Sequence, residues 1–502
     1  MVSYNEIIEN DCVLSKDGLK WIEFNKSINI LREKYPNILD DFKSFDGFAF
    51  PSSDYVTQFE KLTKKVKLVQ ISNVNQTEWI INDTQKFEYV PDKYLLTKKK
   101  YLLNNECILI SLTGGTDTNN DITSYFDNSF KAFLNQRVSA FTMKEFKKDY
   151  FFYFYSMTKT KFFREQWLGK GGIQKNTVAS DRAKTYLPKI INLKIVNYIS
   201  VLTQAIINKE KLIKERHEAI LKAIETELLE NQKPNKFNFE LPRINELEEV
   251  GRLDTNLYRE NFKNIVFGIK NYKNGFQTIS DLGFSLSRGQ NLQVSNIGES
   301  IYSKKHYNNF YTLMLPKFLS KYGTIDKVEY LGNPNDLKTL QKGDLIFGAE
   351  GFEKGRSIVI IEEQSRVITN IHGITIQQEK QDVNKAIFVK CCLDYLRSKG
   401  LIDLYAVGGN GGSLAQKYWE IIPFPKFDKI KQDEITKLYH NSDIEYQKDT
   451  FTLTNFLDKD NKYNQQAGIY ELDKTAKQLR EILNQTIFNI INDKEIKIYF
   501  EN

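Results

Sequence analysis

The feature that most restricts the fold of this chain is an internal repeat of a whole domain. Short apolar strands, an apolar helix, a Gly-rich turn and a Pro-containing strand follow one another in the first half of the chain, and the same order recurs in the second half. Leu103 matches Leu340 and Phe151 matches Phe388, and both pairs are 237 residues apart. Because two separate features share one offset, the pattern indicates duplication of a domain rather than a short solenoid repeat.

A long charged segment lies between the two copies and predicts a helix from Leu193 to Asn231. Its apolar residues recur at steps of three, four and seven, which places them on one narrow face. A narrow stripe is buried by a single partner, and the run from Ala467 to Asp493 has the same spacing. We therefore expect these two helices to pack together through Ile199, Leu202, Ile206, Ile213, Ile220, Leu472, Leu479, Leu483 and Ile487.

These patterns predict an α+β protein with a pseudo-twofold internal duplication. Two mixed α/β domains are expected to be separated by a pair of long antiparallel, coiled-coil-like helical regions. No counterpart of the first 60 or so residues is evident in the second half. The predicted parts are an N-terminal domain (residues 1–188), a central spacer helix (189–233), a C-terminal domain (234–425) and a C-terminal helical region that packs on the spacer (426–502).

Composition favours a protein of a reducing compartment with a polyanionic partner. The chain has 71 Lys and Arg against 64 Asp and Glu, a net charge of +7, which suits a nucleic acid without requiring one. Its four cysteines show neither a CxxC pair nor a disulfide-like spacing. No secretion signal and no apolar run of membrane-spanning length is evident, so we expect a soluble cytoplasmic protein.

Catalytic and cofactor motifs are not evident in the sequence. The turn around Lys170 lacks the glycine spacing and the Ser or Thr of a phosphate loop. The four histidines are scattered and have no metal-ligand spacing, so we expect no metal site. The chain has no Asn/Asp-Pro-Pro-aromatic tetrapeptide of the kind that adenine methyltransferases use. The short run Pro91-Asp92-Lys93 permits a nuclease-like interpretation, but such short matches arise readily by chance and a solvated turn is strongly favoured.

The duplicated unit resembles a known family through its ordered motifs. The second copy reads LQKGDLIFGAEG, then VGGNGGSLAQ and EIIPFP before a helix, and the first reads LLNNECILISLTGG, LGKGGIQKN and YLPKI. From about Lys65 onward the chain resembles the specificity (S) subunits of Type I restriction-modification systems, which combine two target-recognition domains with conserved helical regions. The closing run AGIYELDKTAKQLREILNQTIFNII is similar to the C-terminal helix of such subunits. The first copy departs from the family in having TYLPKI where a Pro-richer string is common.

The resemblance implies a subunit of bacterial defence that performs no chemistry itself. Each target-recognition domain would read half of a bipartite site in double-stranded DNA, and the helical regions would dock two DNA adenine methyltransferase subunits. The resemblance implies no cofactor in this chain, because S-adenosylmethionine would bind to the methyltransferase subunits. A restriction or translocase subunit would be a further partner if the system cleaves DNA, and the sequence leaves cleavage open.

Loop residues with suitable side chains are the candidates for DNA contact, since Asn, Gln, Arg, Lys, Ser and Thr read base edges and Lys and Arg bind phosphates. For each single residue a solvated surface role is at least an equal alternative, and a histidine such as His372 on an apolar strand is more often a core residue than a DNA contact. The first domain offers Gln70, Asn73, Thr113, Lys170, Gln174 and Lys175, with Lys98, Lys99 and Lys100 for phosphates. The second offers Arg288, Gln290, Asn291, Asn296, Lys354, Arg356, His372, Asn410, Ser413 and Gln416.

Other functions stay open at this point. The chain could be a stand-alone nuclease or DNA-modifying enzyme with an unrecognised site in residues 1–65. Alternatives are a specificity subunit of a methylation-only or Type II-like system, and an interaction protein whose two domains bind protein partners. Activity of the isolated chain with a divalent metal would support the enzyme hypothesis, and salt-dependent DNA binding would argue against a purely protein-binding role.

Overall fold

The computed structural model describes residues 16–56, 64–76, 78–83, 85–114, 121–168, 175–177, 182–351, 354–363, 366–407 and 412–500. The side chains of 16–22, 175–176 and 249 are excluded from that description. By compactness the chain forms two units. Unit 1 consists of Met1–Lys211, Tyr446–Lys462 and Thr475–Asn502, and unit 2 consists of Leu212–Glu445 and Tyr463–Lys474.

Unit 1 contains two main sheets and a set of helices. Its strands are β1 (Phe42–Asp46), β2 (Lys65–Val69), β3 (Glu88–Pro91), β4 (Cys107–Ser111), β5 (Thr113–Gly114), β6 (Thr123–Phe126), β7 (Ala132–Leu134), β8 (Val138–Met143) and β9 (Lys175–Asn176). Its helices are α1 (Lys16–Lys34), α2 (Ile38–Asp41), α3 (Ile71–Val74), α4 (Tyr94–Thr97), α5 (Lys148–Thr158) and α6 (Lys161–Leu168), followed by α7 (Leu193–Glu230), which continues into unit 2. The strand orders are β1-β8-β4-β6, β3-β2-β7 and β5-β9.

Unit 2 contains a similar set of helices and strands. Its helices are α8 (Ile244–Val250), α9 (Glu260–Lys270), α10 (Val294–Ile297), α11 (Val383–Ser398), α12 (Leu401–Tyr405) and α13 (Lys429–Tyr439). Its strands are β10 (Phe276–Gln277), β11 (Ser285–Arg288), β12 (Ile301–Ser303), β13 (Tyr311–Leu313), β14 (Glu329–Gly332), β15 (Leu345–Gly348), β16 (Ser357–Val359), β17 (Val367–Ile368), β18 (Gly373–Gln377) and β19 (Phe424–Pro425). Their orders are β11-β18-β15-β16, β12-β14-β13-β17 and β10-β19. The C-terminal helices are α14 (Phe456–Gln466) and α15 (Ile469–Ile491), and each of them belongs partly to unit 1 and partly to unit 2.

One four-stranded sheet has the same topology in both units, and the second sheets share three strands, to which unit 2 adds β12. The antiparallel order β1-β8-β4-β6 of unit 1 matches β11-β18-β15-β16 of unit 2. In the second sheet β2 pairs parallel with β7 and antiparallel with β3, just as β13 pairs with β17 and β14. The predicted duplication of a mixed α/β domain is confirmed at the level of strand pairing.

The duplication also includes residues for which the sequence showed no counterpart. Strand β1 occupies the place of β11, and the bridge between Asn37 and Tyr186 occupies the place of the β10–β19 pair. The expectation that the first 60 or so residues have no equivalent in the second half was therefore wrong for residues 37–46. The matching strands share hydrogen-bonding position rather than side-chain pattern, FKSFD against SLSR, which is why the alignment of letters missed them.

The predicted helix pair is present. Ile199, Leu202 and Ile206 of α7 share the core of unit 1 with Leu479, Leu483 and Ile487 of α15. In unit 2 the C-terminal half of α7 shares a core with the first turns of α15, through Ile213, Ile220 and Leu472. The two helices therefore run antiparallel, and every packing residue predicted from the stripes is buried. The domain boundaries predicted at residues 188, 233 and 425 remain predictions. The division into compact units falls inside α7 instead, so that each half of the helix belongs to the unit on which it packs.

Three short apolar segments form single helical turns rather than strands. The run after β2 folds into α3, where the Gln70 backbone N–H donates to Asn73 Oδ1 at 2.9 Å. The segment LQVSNIG contains α10, and Tyr94–Thr97 forms α4 rather than strand. In each case the segment is too short to pair with a neighbouring strand. The local hydrogen bonds of one helical turn therefore outweigh the β propensity of its apolar residues.

Titratable side chains are buried where α7 packs in both units. Burial raises the pKa of Glu210 to about 7, although Arg480 contacts its carboxylate and the Trp79 backbone N–H donates to it at 2.5 Å. In unit 2 burial lowers the pKa of His217 to about 4, although Asp394 lies 3.6 Å away. Within the described ranges, no helix combines the length and apolarity needed to cross a membrane.

Candidate functional site

The candidate site of unit 2 lies where β15 and β18 stop pairing. Their last Cα partners are Gly348 and Gly373, and the Ala349 backbone N–H then donates to the His372 carbonyl at 3.1 Å. The chain beyond this point places the side chains of Glu350 and His372 next to each other at the end of the sheet. Leu414 returns to the same place, since its N–H donates to the Ala349 carbonyl at 2.9 Å.

Four side chains meet at this end of the sheet, and we call them the unit 2 cluster: Arg288, Glu350, His372 and Ser413. His372 Nδ1 lies 2.6 Å from Glu350 Oε2, and Arg288 Nη1 donates to Glu350 Oε1 at 3.1 Å. Arg288 Nη2 donates to Ser413 Oγ at 3.1 Å, and Ser413 Oγ donates to Glu350 Oε1 at 3.4 Å. The cluster stays accessible, because the side chain of Arg288 is 37% exposed, that of Glu350 33% and that of His372 58%.

Unit 1 has an equivalent end of the sheet with different side chains. The Leu112 N–H donates to the Arg137 carbonyl at 2.9 Å, and the Thr177 N–H donates to the Leu112 carbonyl at 2.8 Å. Thr113 therefore occupies the position of Glu350, and Arg137 occupies that of His372. The two side chains touch as their counterparts do, with Arg137 Nη1 donating to Thr113 Oγ1 at 3.3 Å.

The strand next to this end of the sheet also differs between the units. Asp46 of β1 holds the place of Arg288 and forms an ion pair with Arg182. Arg182 Nη1 also donates to Ser139 Oγ at 3.2 Å. The same backbone framework thus presents an Arg, a Glu, a His and a Ser in one unit, and an Asp, a Thr and one Arg in the other, whereas Arg182 is buried. The two units differ in the hydrogen-bonding groups that they offer at this end.

A glycine in each unit allows two chain segments to approach closely beside the site. A Cβ on Gly289 would lie 2.2 Å from the Asn370 carbonyl oxygen, and one on Gly47 would lie 2.2 Å from that of Asn135. Real Cβ atoms do not tolerate such distances to backbone, so only glycine fits these two positions. In unit 2 this close approach allows the β-bridge between Gln290 and Asn370 to form.

Replacing Gly289 by Ala is therefore expected to destabilise unit 2 by about 1–3 kcal/mol, since overpacking against backbone costs that much. The Gln290 amide, which donates to the Thr369 carbonyl at 2.8 Å, should exchange its hydrogen faster. Chemical denaturation and hydrogen exchange measure both effects. Gly268→Ala is the matched control, because that Cβ meets nothing within 4 Å in the interior of α9 and should stabilise by up to about 1 kcal/mol. Equal stability of the two variants would contradict the packing described here.

The structure brings some predicted contact residues together and separates others. Arg288, His372 and Ser413 meet in the unit 2 cluster, and Thr113 lies at the equivalent place in unit 1. Gln290 and Asn291 follow β11 directly and are half-buried, whereas Asn296 and Gln416 are exposed but have no described contact with the cluster. Lys99 and Lys100 are exposed, and the Lys98 ammonium lies over the Phe48 ring at 4.2 Å.

Three of the residues predicted to contact DNA make side-chain contacts within the protein instead. Asn73 is 3% exposed and its side-chain amide donates to the Lys86 carbonyl at 3.0 Å, so it stabilises a turn rather than facing outward. Lys354 pairs with Asp403 at 2.9 Å, and Arg356 Nη1 donates to the Leu319 carbonyl at 2.9 Å. The Gln70 side chain is half-buried at the start of α3. Lys170, Gln174 and Asn410 lie outside the described residues, and Lys175 is described only as backbone of β9.

Sequence reasoning missed Glu350, Arg137, Asp46 and Arg182. A signal for the first was present, since Glu350 follows the predicted Thr113 by the same 237 residues that separate the two copies. Asp46 and Arg182 had no such signal, because their importance depends on a strand pairing that the sequence pattern did not show.

Comparison with known proteins gives similar solved structures. No protein-family model and no curated protein matches the chain. It is similar to the Type I restriction-modification system S subunit from M. genitalium, with a TM-score of 0.38 and 13% identity over 93% of this chain and 96% of that one. The HsdS subunit from Thermoanaerobacter tengcongensis gives 0.25 and 10% over 90% and 96%. A structure concerning complex assembly and conformational transition of the type I R-M system gives 0.26 and 10% over 91% and 98%.

Proposed function

We propose that this chain is the specificity subunit of a Type I restriction-modification system, a non-catalytic protein that reads a bipartite site in double-stranded DNA. The observation that carries the proposal is the duplication itself: two units that share the same four-stranded antiparallel sheet, each presenting a different polar cluster at the same end of that sheet. Two copies of one backbone framework that carry different hydrogen-bonding side chains are suited to recognise two different sequences in the same kind of ligand.

Duplex DNA is the ligand that best fits these two surfaces. The side chains at the sheet ends include Arg, Glu and Thr, which discriminate bases through the donors and acceptors in the major groove. The net charge of +7 favours association with a polyanion, and exposed Lys99 and Lys100 suit phosphate contacts. Because the two clusters differ, the two half-sites should differ in sequence.

The helix pair α7 and α15 is the proposed platform for DNA adenine methyltransferase subunits. It belongs to both units and its inner stripe is already buried, so partners would bind to its outer surface or to the adjoining loops. Two such subunits would supply S-adenosylmethionine and the methyl-transfer chemistry, since this chain shows no catalytic motif. A restriction subunit would join the same assembly if the system cleaves DNA.

Selection from a pool of random duplexes by the complex of this chain with its methyltransferase subunit tests the proposal. We expect two short conserved blocks of different sequence separated by a gap of fixed length and any sequence. Binding should weaken steeply with salt, because phosphate contacts release counterions. The chain alone with Mg²⁺ or Mn²⁺ should leave the same duplexes intact. A single block, no selection, or cleavage by the isolated chain would contradict the proposal.

A further inference from the structure

We propose that Glu350 reads a cytosine in the half-site recognised by unit 2, and that Arg288, Ser413 and His372 hold its carboxylate in place for that contact. The proposal rests on the function proposed above and adds the identity of one base. It follows from the contacts of the unit 2 cluster and from the donors and acceptors that the four bases offer.

The carboxylate of Glu350 is held from three separate segments of unit 2. Arg288 comes from β11, His372 from the turn before β18 and Ser413 from the chain that returns to the sheet end. Together they fix both carboxylate oxygens, while a third of the side chain stays exposed. A side chain that is already ordered loses little conformational entropy when it binds, so its hydrogen bond to a ligand contributes more to affinity.

The charge of Glu350 would oppose DNA binding if it stood alone. Arg288 lies within hydrogen-bonding distance of the carboxylate and is itself 37% exposed, so the pair carries no net charge toward the phosphates. Arg288 thereby makes a carboxylate acceptor acceptable next to a polyanion.

Cytosine is the base that fits a held carboxylate. An ionised carboxylate only accepts hydrogen bonds. In the major groove cytosine offers the N4 amino group as a donor, whereas guanine and thymine present acceptors. Adenine has an amino donor at N6, but the neighbouring N7 acceptor faces the second carboxylate oxygen and repels it. Thr113, at the equivalent place in unit 1, has a hydroxyl that both donates and accepts and therefore imposes no such choice.

The test is duplex selection by the complex with its methyltransferase subunit, using pools in which one half-site at a time is randomised. The wild-type chain should prefer cytosine at one position of one half-site by about tenfold or more. Glu350→Gln should shift that position toward adenine, since Gln pairs with N6 and N7 together. Arg288→Ala should weaken the cytosine preference without introducing adenine. Glu379→Gln changes an exposed carboxylate beyond the opposite end of β18, so it is the matched control and should leave this position unchanged. Thermal unfolding verifies that each variant folds.

Cytosine at one position, with adenine introduced there by Glu350→Gln but not by Arg288→Ala, would support the proposal. Selection of a bipartite site in which Glu350→Gln alters no position, or alters one that is not cytosine, would overturn it and leave the proposed function intact. Absence of any sequence selection by the wild-type complex would overturn both.

Discussion

Replacing Asp460 by Ala is expected to destabilise unit 1 by about 3–5 kcal/mol, because it leaves a buried ammonium without its carboxylate. Lys209 Nζ of α7 lies 2.7 Å from Asp460 Oδ1 of α14, and both side chains are fully buried. Burial lowers the pKa of Lys209, while Asp460 opposes that shift. Tyr446 holds the carboxylate, since its hydroxyl donates to Asp460 Oδ1 at 2.7 Å. Equilibrium unfolding in urea, followed for the transition of unit 1, measures the loss.

Two further variants separate the buried pair from a general effect of lost charge. Lys161 and Glu165 form an exposed i, i+4 pair in the same unit, so Glu165→Ala should cost no more than about 0.5 kcal/mol. The double variant Lys209→Met with Asp460→Leu removes both charges and should recover most of the stability, as apolar replacements of buried pairs often do. A loss below about 1 kcal/mol in Asp460→Ala would show that the carboxylate does not compensate Lys209 in the folded protein.

The helices were predictable from the sequence because their signal is local. The stripe from Ile199 to Ile220 repeats at helical spacing and recurs in Leu472 to Ile487, so both the elements and their pairing follow from periodicity. The ends agree with α7 and α15 within two residues. Pairs such as Lys209 with Asp460 were not predictable, since two charged residues far apart in the chain carry no periodic signal.

The candidate site was predictable only in part because it is assembled by strand register. Arg288, His372 and Ser413 were chosen for residue type and loop position, and the pairing of β11, β18 and β15 brings them together. Glu350 was missed, since carboxylates are uncommon readers of DNA when considered one at a time. Asn73 was predicted by the same criteria, but its side chain is buried and accepts a capping hydrogen bond from the Gln70 backbone N–H. Residue type indicates what a side chain offers, and only the register of the strands determines which side chains meet.

Exchange of one recognition domain is expected to change one half-site completely and leave the other as it was. In unit 2 the chain enters and leaves the domain through the β10–β19 pair, where Phe276 is the partner of Pro425. Residues 276–425 therefore form a segment whose two ends are adjacent, which suits replacement by the matching segment of a chain that recognises different DNA. In unit 1 the bridge between Asn37 and Tyr186 marks the same boundary, so residues 37–186 provide the reciprocal exchange.

The most direct measurement of the central claim is a map of methylated positions in DNA from cells that carry the methyltransferase subunit with the wild-type chain or with either exchanged chain. The account predicts a two-part site for the wild type. The exchange of 276–425 should replace one part, the exchange of 37–186 should replace the other, and the gap between the parts should keep its length. Both parts changing in a single exchange, or neither changing in a complex that still methylates, would contradict the claim that each unit reads its own half of the site.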